Sequence, residues 1–233
     1  MLHNTLKRVL IAMGLSLTAY TAQAACLDNV VLVHGNAGSP SDWNATISTL
    51  KSQGYTDAQF YRPNWGSKTN PAINDHSAAN TNPVKASMQT AKAASCTGKI
   101  DVIGHSMGVT LAMKAINELA YSTSVNSFIG IAGAQHGLES CGVYPFNVWT
   151  PTCGSNGLSI DSPLILSVKN KRYGSKMYSI KSYIDEVVCI GSCYVYGSHT
   201  SNIDGQNATY DFALGHFGLK DYTTNTQASL VFQ

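Results

Sequence analysis

The stretch "KIDVIGHSMGVTLAMKAI", residues 99–116, predicts a buried strand, a tight turn and a helix in succession. Its apolar run ends at Gly104, breaks at Gly-His-Ser-Met-Gly, and resumes at helical spacing. These five residues have the form G-x-S-x-G, whose glycines permit a turn sharp enough to expose the serine above a helix N-terminus. An ordinary strand-to-helix corner that happens to contain a serine is the alternative. The flanking strand and helix favour Ser106 as a nucleophile.

The same alternation of strands and helices extends in both directions from this turn. Strands are predicted at 29–35, 57–64, 99–104, 127–133, 175–182 and 208–213, and helices at 41–54, 82–95, 106–121 and 223–232. This order predicts βαβ units with right-handed crossovers. The expected fold class is therefore α/β, with about six mainly parallel strands and helices on both faces. In such a sheet, ligands bind beyond the carboxyl ends of the strands.

The first 24 residues have the features of a secretory signal peptide. Lys7 and Arg8 form a positive head, an apolar run covers 9–17, and 22–24 reads Ala-Gln-Ala. Cleavage would remove two cations and no acids, so the formal charge would fall from +2 to 0. We expect residues 25–233 to form a single domain that is exported to the periplasm or the medium.

Charged residues are sparse in the rest of the chain, at 12% overall, and form no basic run. This composition argues against nucleic acid as a partner. After the leader, no apolar stretch is long enough to form a transmembrane segment. The sequence therefore predicts a globular exported domain, which we expect to be a monomer.

Six cysteines remain after the leader, and an even number in an exported protein favours three disulfides. Fifteen pairings of six cysteines exist. Short spacing favours the pairs Cys141–Cys153 and Cys189–Cys193, which leaves Cys26 with Cys96 at one edge of the predicted sheet. A metal site is the competing use, but neither Cys-x-x-Cys nor His-x-x-x-His occurs. We therefore expect no metal.

A serine nucleophile needs a base, and His216 is the favoured histidine. It lies just past the last predicted strand, between Gly215 and Gly218. His136, which ends another strand, and His199, in a polar loop, are the alternatives.

The base in turn needs a carboxylate to orient it. The chain order Ser…Asp…His restricts the search to acids between 106 and 216. Asp185 is favoured because it follows a predicted strand, and the neighbouring Glu186 competes with it.

Two backbone N–H groups are needed to stabilise the oxyanion. Met107, which follows the serine, supplies one of them. The loop in "VHGNAG", residues 33–38, is of the type that supplies the second, and Asn36 is its expected donor. This chemistry needs no metal and no organic cofactor.

These motifs resemble the small bacterial class 2 lipases, close to the minimal α/β-hydrolase lipases secreted by Bacillus. The landmarks occur from about Asn29 to Gly218, in the order "VVLVHGNAG", "SQGY", "KIDVIGHSMG", "IAGAQHG", "YSIKSYIDEVV" and "GHFGL". The resemblance implies a catalytic triad of Ser106, Asp185 and His216, with Asn36 and Met107 as oxyanion donors.

The chain departs from the Bacillus enzymes in its cysteines and in an insert at about 139–157. The insert is aromatic and rich in turns, and it contains two of the cysteines. Tyr144, Phe146 and Trp149 are candidates for an acyl-binding wall or a flap over Ser106. A disulfide-stapled surface loop with its own small cluster is the equally favoured alternative.

The expected function is a secreted serine carboxylic-ester hydrolase, a lipase or esterase that acts on acylglycerols or other lipid-like esters through an acyl-enzyme at Ser106. Its partners would be the ester substrate and a lipid–water interface. A polyester depolymerase, an aromatic-acid esterase or an acyltransferase would use the same triad. A non-catalytic binding protein of this fold is disfavoured because it would have a broken triad.

Overall fold

A computed structural model describes residues 26–146 and 149–233. The predicted signal peptide, residues 1–24, lies outside the described residues. Within these two ranges, no helix has the length and apolar character needed to cross a membrane.

Strands and helices alternate along most of the chain. In chain order the elements are β1 (Asn29–Val33), α1 (Asn44–Ser52), β2 (Phe60–Tyr61), α2 (Ala78–Ala94), β3 (Ile100–His105), α3 (Met107–Leu119), β4 (Val125–Ile131), β5 (Leu138–Val143), β6 (Ser159–Ile160), α4 (Pro163–Val168), β7 (Lys176–Lys181), β8 (Tyr194–Val195), β9 (Ser198–His199), β10 (Ala208–Asp211), α5 (His216–Asp221) and α6 (Thr224–Val231). Four 3₁₀ turns lie at Pro40–Trp43, Asp57–Gln59, Pro71–Ile73 and Pro151–Cys153.

Six of the strands form one sheet in the order β10-β7-β4-β3-β1-β2. Every neighbouring pair in it is parallel. The prediction of an α/β fold with a six-stranded, mainly parallel sheet is therefore confirmed. The order reverses between β1 and β3, and this places the ends of these two strands side by side at the carboxyl edge.

Helices cover both faces of the sheet, which is why the central strands are almost continuously apolar. In β1, Val31 and Val33 pack with α2, α3 and α4 on one face. The alternate residues Val30 and Leu32 pack with α1 and α6 on the other face. All five residues of β1 are buried. The core thus holds the carboxyl ends of β1 and β3 rigidly in register.

Most predicted elements have slightly different bounds in the structure, and two of them show the physical reason. The strand expected at 57–64 is only Phe60–Tyr61, because 57–59 form a 3₁₀ turn. The side chain of Gln59 accepts the N–H of Thr56 and caps this turn. The helix expected at 82–95 begins at Ala78, so Pro83 lies inside it rather than in its first turn. A carboxylate oxygen of Asp75 accepts the N–H of the N-cap residue, Ser77, just before this earlier start.

The structure forms the three disulfides that the spacing favoured. Cys26 is joined to Cys96, with their Cα atoms 6.0 Å apart, at the amino edge of the sheet. The pair Cys141–Cys153 closes the insert, and the pair Cys189–Cys193 closes the loop after β7. Within the insert, β5 pairs with β6 as a small separate sheet.

Candidate active site

Ser106 occupies the turn between the last residue of β3 and the first residue of α3. Its backbone has φ 55° and ψ −133°, a combination that non-glycine residues rarely adopt. Such strain costs about 1–3 kcal/mol and persists only where the surrounding structure enforces it. Here the serine N–H donates to the carbonyl of Ile131 at 2.8 Å, which ties the turn to β4.

The glycines around Ser106 are required by close contacts. A Cβ on Gly108 would lie 2.3 Å from the carbonyl oxygen of His34, and one on Gly104 would lie 2.8 Å from the Cα of Val109. A Cβ on Gly35 would lie 2.9 Å from that of Ser106. The loop after β1 therefore lies directly against the serine turn.

His216 and Asp185 form a buried pair next to this turn. His216 is the first residue of α5, and Asp185 lies in the loop after β7. The imidazole Nδ1 lies 2.9 and 3.0 Å from the two carboxylate oxygens. The side chains are only 3% and 0% exposed, so water does not compete for this contact.

The Asp185 carboxylate is also held by the backbone of its own loop. One of its oxygens accepts the N–H groups of Val187 and Val188, each at 2.9 Å. Burial raises the pKa of Asp185, but the hydrogen bond with His216 and those from these two amides outweigh burial and hold the pKa below its ordinary value. The group is therefore an anion at neutral pH.

Glu186, the competing acid, has a different contact. Its carboxylate accepts the backbone N–H of His216 at 2.9 Å, whereas the imidazole faces Asp185. Of the two acids, Asp185 is therefore the one in position to orient the ring.

The two alternative bases, His136 and His199, contact other groups. His136 Nε2 lies 3.5 Å from a carboxylate oxygen of Asp204, and His199 Nε2 lies 3.2 Å from the carbonyl oxygen of Ser182. His105 is buried beneath the turn, where its Nε2 lies 3.2 Å from the carbonyl oxygen of His216. Burial lowers the pKa of His105 to about 3, so this ring is neutral.

A cavity of about 270 Å³ joins the serine to the histidine. Both side chains line it. The other lining residues are Gly35, Asn36, Ala37, Gly38, Asp42, Pro71, His105, Val187 and Phe217. The cavity thus lies at the carboxyl edge of the sheet, where the topology predicts a ligand site.

The two expected oxyanion donors flank Ser106. Asn36 lines the cavity from the loop after β1. Met107 is the first residue of α3, and the first N–H groups of a helix have no partner within that helix. Both backbone amides are thus on elements that meet at the serine.

The three aromatic residues expected to bind substrate are not brought to the cavity. Phe146 and Trp149 are 84% and 85% exposed, and neither they nor Tyr144 belong to the cavity lining. The apolar lining comes instead from residues that sequence reasoning missed, chiefly Val187 and Phe217. Val187 lies two residues after Asp185, and Phe217 lies one residue after His216. This proximity in sequence was the signal that could have identified them as lining residues.

Among the described residues, one cluster has the spacing of metal ligands, formed by Cys189, Cys193 and His199. Its two sulfur atoms are joined in a disulfide, so neither is a thiolate that could bind a metal.

The family model described as Lipase (class 2) matches residues 28–229. The chain therefore belongs to the class 2 lipases, a family of lipase- and esterase-type α/β-hydrolases, and the resemblance seen in the sequence is confirmed. Among curated proteins, none matches the chain significantly.

Solved structures with the same fold are distant in sequence. Bacillus licheniformis lipase BlEst2 in propeptide form matches with a TM-score of 0.63 and 14% identity, over 90% of this chain and 51% of that one. Aspergillus fumigatus lipase B matches with a TM-score of 0.59 and 18% identity, over 83% and 49%. The chain thus spans about half the length of these two lipases. Tomato methylketone synthase I, in complex with 2-tridecanone, matches with a TM-score of 0.59 and 14% identity, over 88% and 98%.

Proposed function

We propose that the protein hydrolyses carboxylic esters through a covalent acyl-enzyme at Ser106. The observation that carries this proposal is the shared cavity, which is lined both by a serine on a strained turn and by His216, whose Nδ1 is bonded to a buried carboxylate. In neutral imidazole, donation of Nδ1–H to Asp185 leaves Nε2 as the acceptor. Nε2 is the atom that would take the serine proton.

The reaction follows from these positions. Ser106 Oγ attacks the ester carbonyl while His216 Nε2 takes its proton, and the N–H groups of Asn36 and Met107 stabilise the oxyanion. Collapse of the tetrahedral intermediate breaks the ester bond, and the imidazolium returns the proton to the leaving alcohol. Water, activated by His216, then releases the acid and regenerates the serine. Asp185 stabilises the imidazolium in both steps.

We further propose that the protein acts outside the cytoplasm. Its three disulfides favour an oxidising compartment, in agreement with the predicted leader at 1–24. The apolar cavity lining favours an ester with an apolar acyl group as substrate, with a lipid–water interface as a further partner.

The cavity size predicts a preference for short acyl chains. Ligand pockets commonly measure roughly 300–1,000 Å³, so a cavity of about 270 Å³ lies just below that range. We expect kcat/KM for p-nitrophenyl esters to be highest between acetate and octanoate and to fall at least about tenfold for palmitate, whose acyl chain does not fit the cavity. A loss of about 1.4 kcal/mol in transition-state binding is enough to produce that factor.

The same series tests the proposed function itself. Activity on soluble short esters should exceed activity on emulsified long-chain triglyceride. Higher activity on the emulsion would contradict the chain-length preference alone. Failure to cleave any ester in the series would contradict the hydrolase proposal.

A further inference from the structure

The side chain of Asn36 is tied at both of its polar ends to one short segment. Its Oδ1 accepts a hydrogen bond from Asn74 Nδ2 at 2.6 Å, and its Nδ2 donates to the carbonyl of Pro71 at 3.2 Å. The next residue, Ala37, has a positive φ of 56°, a conformation that favours glycine. The loop that carries the expected oxyanion donor is therefore held by contacts from outside itself.

Asn74 donates to Asn36 from a buried position, with 2% of its surface exposed. Its Oδ1 accepts the N–H of Ser67 at 2.7 Å, and its Nδ2 also donates to the carbonyl of Ser67 at 2.9 Å. A Cβ on Gly66, where φ is +69°, would lie 2.9 Å from Asn74 Oδ1. The amide is thus fixed in orientation by the loop at 66–67, and it presents one remaining N–H to Asn36.

The insert contacts this same segment through its 3₁₀ turn at Pro151–Cys153. The hydroxyl hydrogen of Thr152 is shared between the carbonyl oxygens of Pro71 and Asn74, which lie 2.9 and 2.7 Å from Oγ1. The disulfide Cys141–Cys153 fixes the adjoining residue of the turn. Pro71 and Asn74 are also the two residues that hold the Asn36 side chain.

A second set of contacts joins the insert, through His76, to α3, the helix that begins directly after Ser106. The carbonyl of Asn156 accepts both the backbone N–H and the Nδ1–H of His76, at 2.8 and 2.9 Å. The other ring nitrogen lies 2.8 Å from the hydroxyl of Thr110 in α3. Burial lowers the pKa of His76 to about 4, so the neutral ring donates at one nitrogen and accepts at the other.

We propose that the 3₁₀ turn of the insert is a brace for the oxyanion site. This role rests on the proposed function. Thr152 and Asn74 are then positioning residues that hold the backbone N–H of Asn36 at the place where the oxyanion forms. Such a donor must lie about 2.7–3.1 Å from the developing oxyanion, so a small shift of its loop weakens it. The exposure of Phe146 and Trp149 is compatible with this role, because the bracing contacts come from Thr152.

Thr152→Val tests the brace without touching the cavity. It keeps the side-chain shape and removes the hydroxyl that contacts Pro71 and Asn74. Complete loss of an oxyanion donor costs about 10²–10³ in kcat, so we expect partial displacement to lower kcat by about tenfold. KM should change less than about twofold, because uniform binding is not affected. Thr152→Ser keeps the hydroxyl and should restore most of kcat.

Two further variants complete the comparison. Asn36→Ala removes the tether but keeps the backbone N–H, so it should lower kcat at least as much as Thr152→Val. Thr90→Val is the matched control, because Thr90 is exposed on α2 and its hydroxyl bonds only the carbonyl of Ala86 in its own helix. This control should keep the kcat of the unmodified protein.

Hydrogen exchange of residues 34–38, followed by peptide mass spectrometry, reports on the brace independently of activity. We expect faster exchange there in Thr152→Val and Asn36→Ala than in Thr90→Val. Unchanged exchange together with unchanged kcat would overturn the brace, while ester hydrolysis by the unmodified protein would leave the proposed function intact. If the unmodified protein cleaves no ester, the proposed function fails and exchange alone decides whether the insert holds the loop. If Thr152→Val does not fold, Asn36→Ala decides.

Discussion

Replacement of Ser106 by alanine should lower kcat for p-nitrophenyl butyrate by at least about 10⁴-fold, because removal of any triad member leaves only the catalysis due to binding and the oxyanion donors. Among the described residues that line the cavity shared with His216, Ser106 is the one with a hydroxyl, and it lies on the strained turn. Steady-state kinetics at high enzyme concentration would measure the residual rate.

The fold should survive this substitution. Alanine removes one oxygen atom from a half-buried position and keeps the N–H that donates to the carbonyl of Ile131. Unchanged thermal unfolding would show that the lost activity reflects lost chemistry. Activity within about tenfold of the unmodified protein would contradict a nucleophilic role, since that remainder is far above the catalysis a broken triad retains.

Asp185→Asn is expected to have the second largest effect, a fall in kcat of about 10⁴-fold. The carboxylate accepts the His216 Nδ1–H and two backbone N–H groups, and it is inaccessible to water. An amide presents N–H donors where these hydrogen atoms point, so the imidazole would turn or adopt the wrong tautomer. KM should change little, because Asp185 does not line the cavity.

Glu186→Gln is the informative comparison for this variant. It removes the same charge from the adjacent position, but its amide oxygen still accepts the backbone N–H of His216. The expected loss in kcat is less than about tenfold, since exposed charges interact weakly in water. If Glu186→Gln were the more damaging change, the assignment of Asp185 as the orienting acid would be wrong.

The central sheet could be predicted from sequence because both of its faces are covered. Residues such as Val30 and Val31 must both be apolar when helices pack on either side, so a buried parallel strand has a continuous apolar signature. Weaker elements lack that signature. The first turn of α2 reads Ala-Ala-Asn-Thr, and its start depends on Asp75 and Ser77 rather than on periodicity.

The positions of Ser106, Asp185 and His216 could be expected because each follows a strand of the same parallel sheet. Parallel strands bring their carboxyl ends to one edge, so sequence order alone places these residues near one another. The cavity lining and the contact from Thr152 to Asn74 were not predictable in this way. Such contacts depend on the paths of loops 78 residues apart in the chain, and loops carry no periodic pattern.

The position of the insert at 139–157 relative to the cavity also could not be predicted from its sequence. Its aromatic content favoured a substrate-binding wall or flap as strongly as a surface loop, yet Phe146 and Trp149 are exposed and outside the cavity lining. The contacts that relate the insert to the site come from Thr152 and Asn156, whose polar side chain and carbonyl give no distinctive sequence signal.

Labelling with a fluorophosphonate measures directly whether Ser106 is a nucleophile activated by His216. The activated serine displaces fluoride and keeps the phosphonyl group, which adds a defined mass. We expect one label per chain, on the peptide that contains Ser106, and much slower labelling of the His216→Ala variant. Failure of the folded protein to react, or a label on another serine, would contradict the nucleophilic role of Ser106.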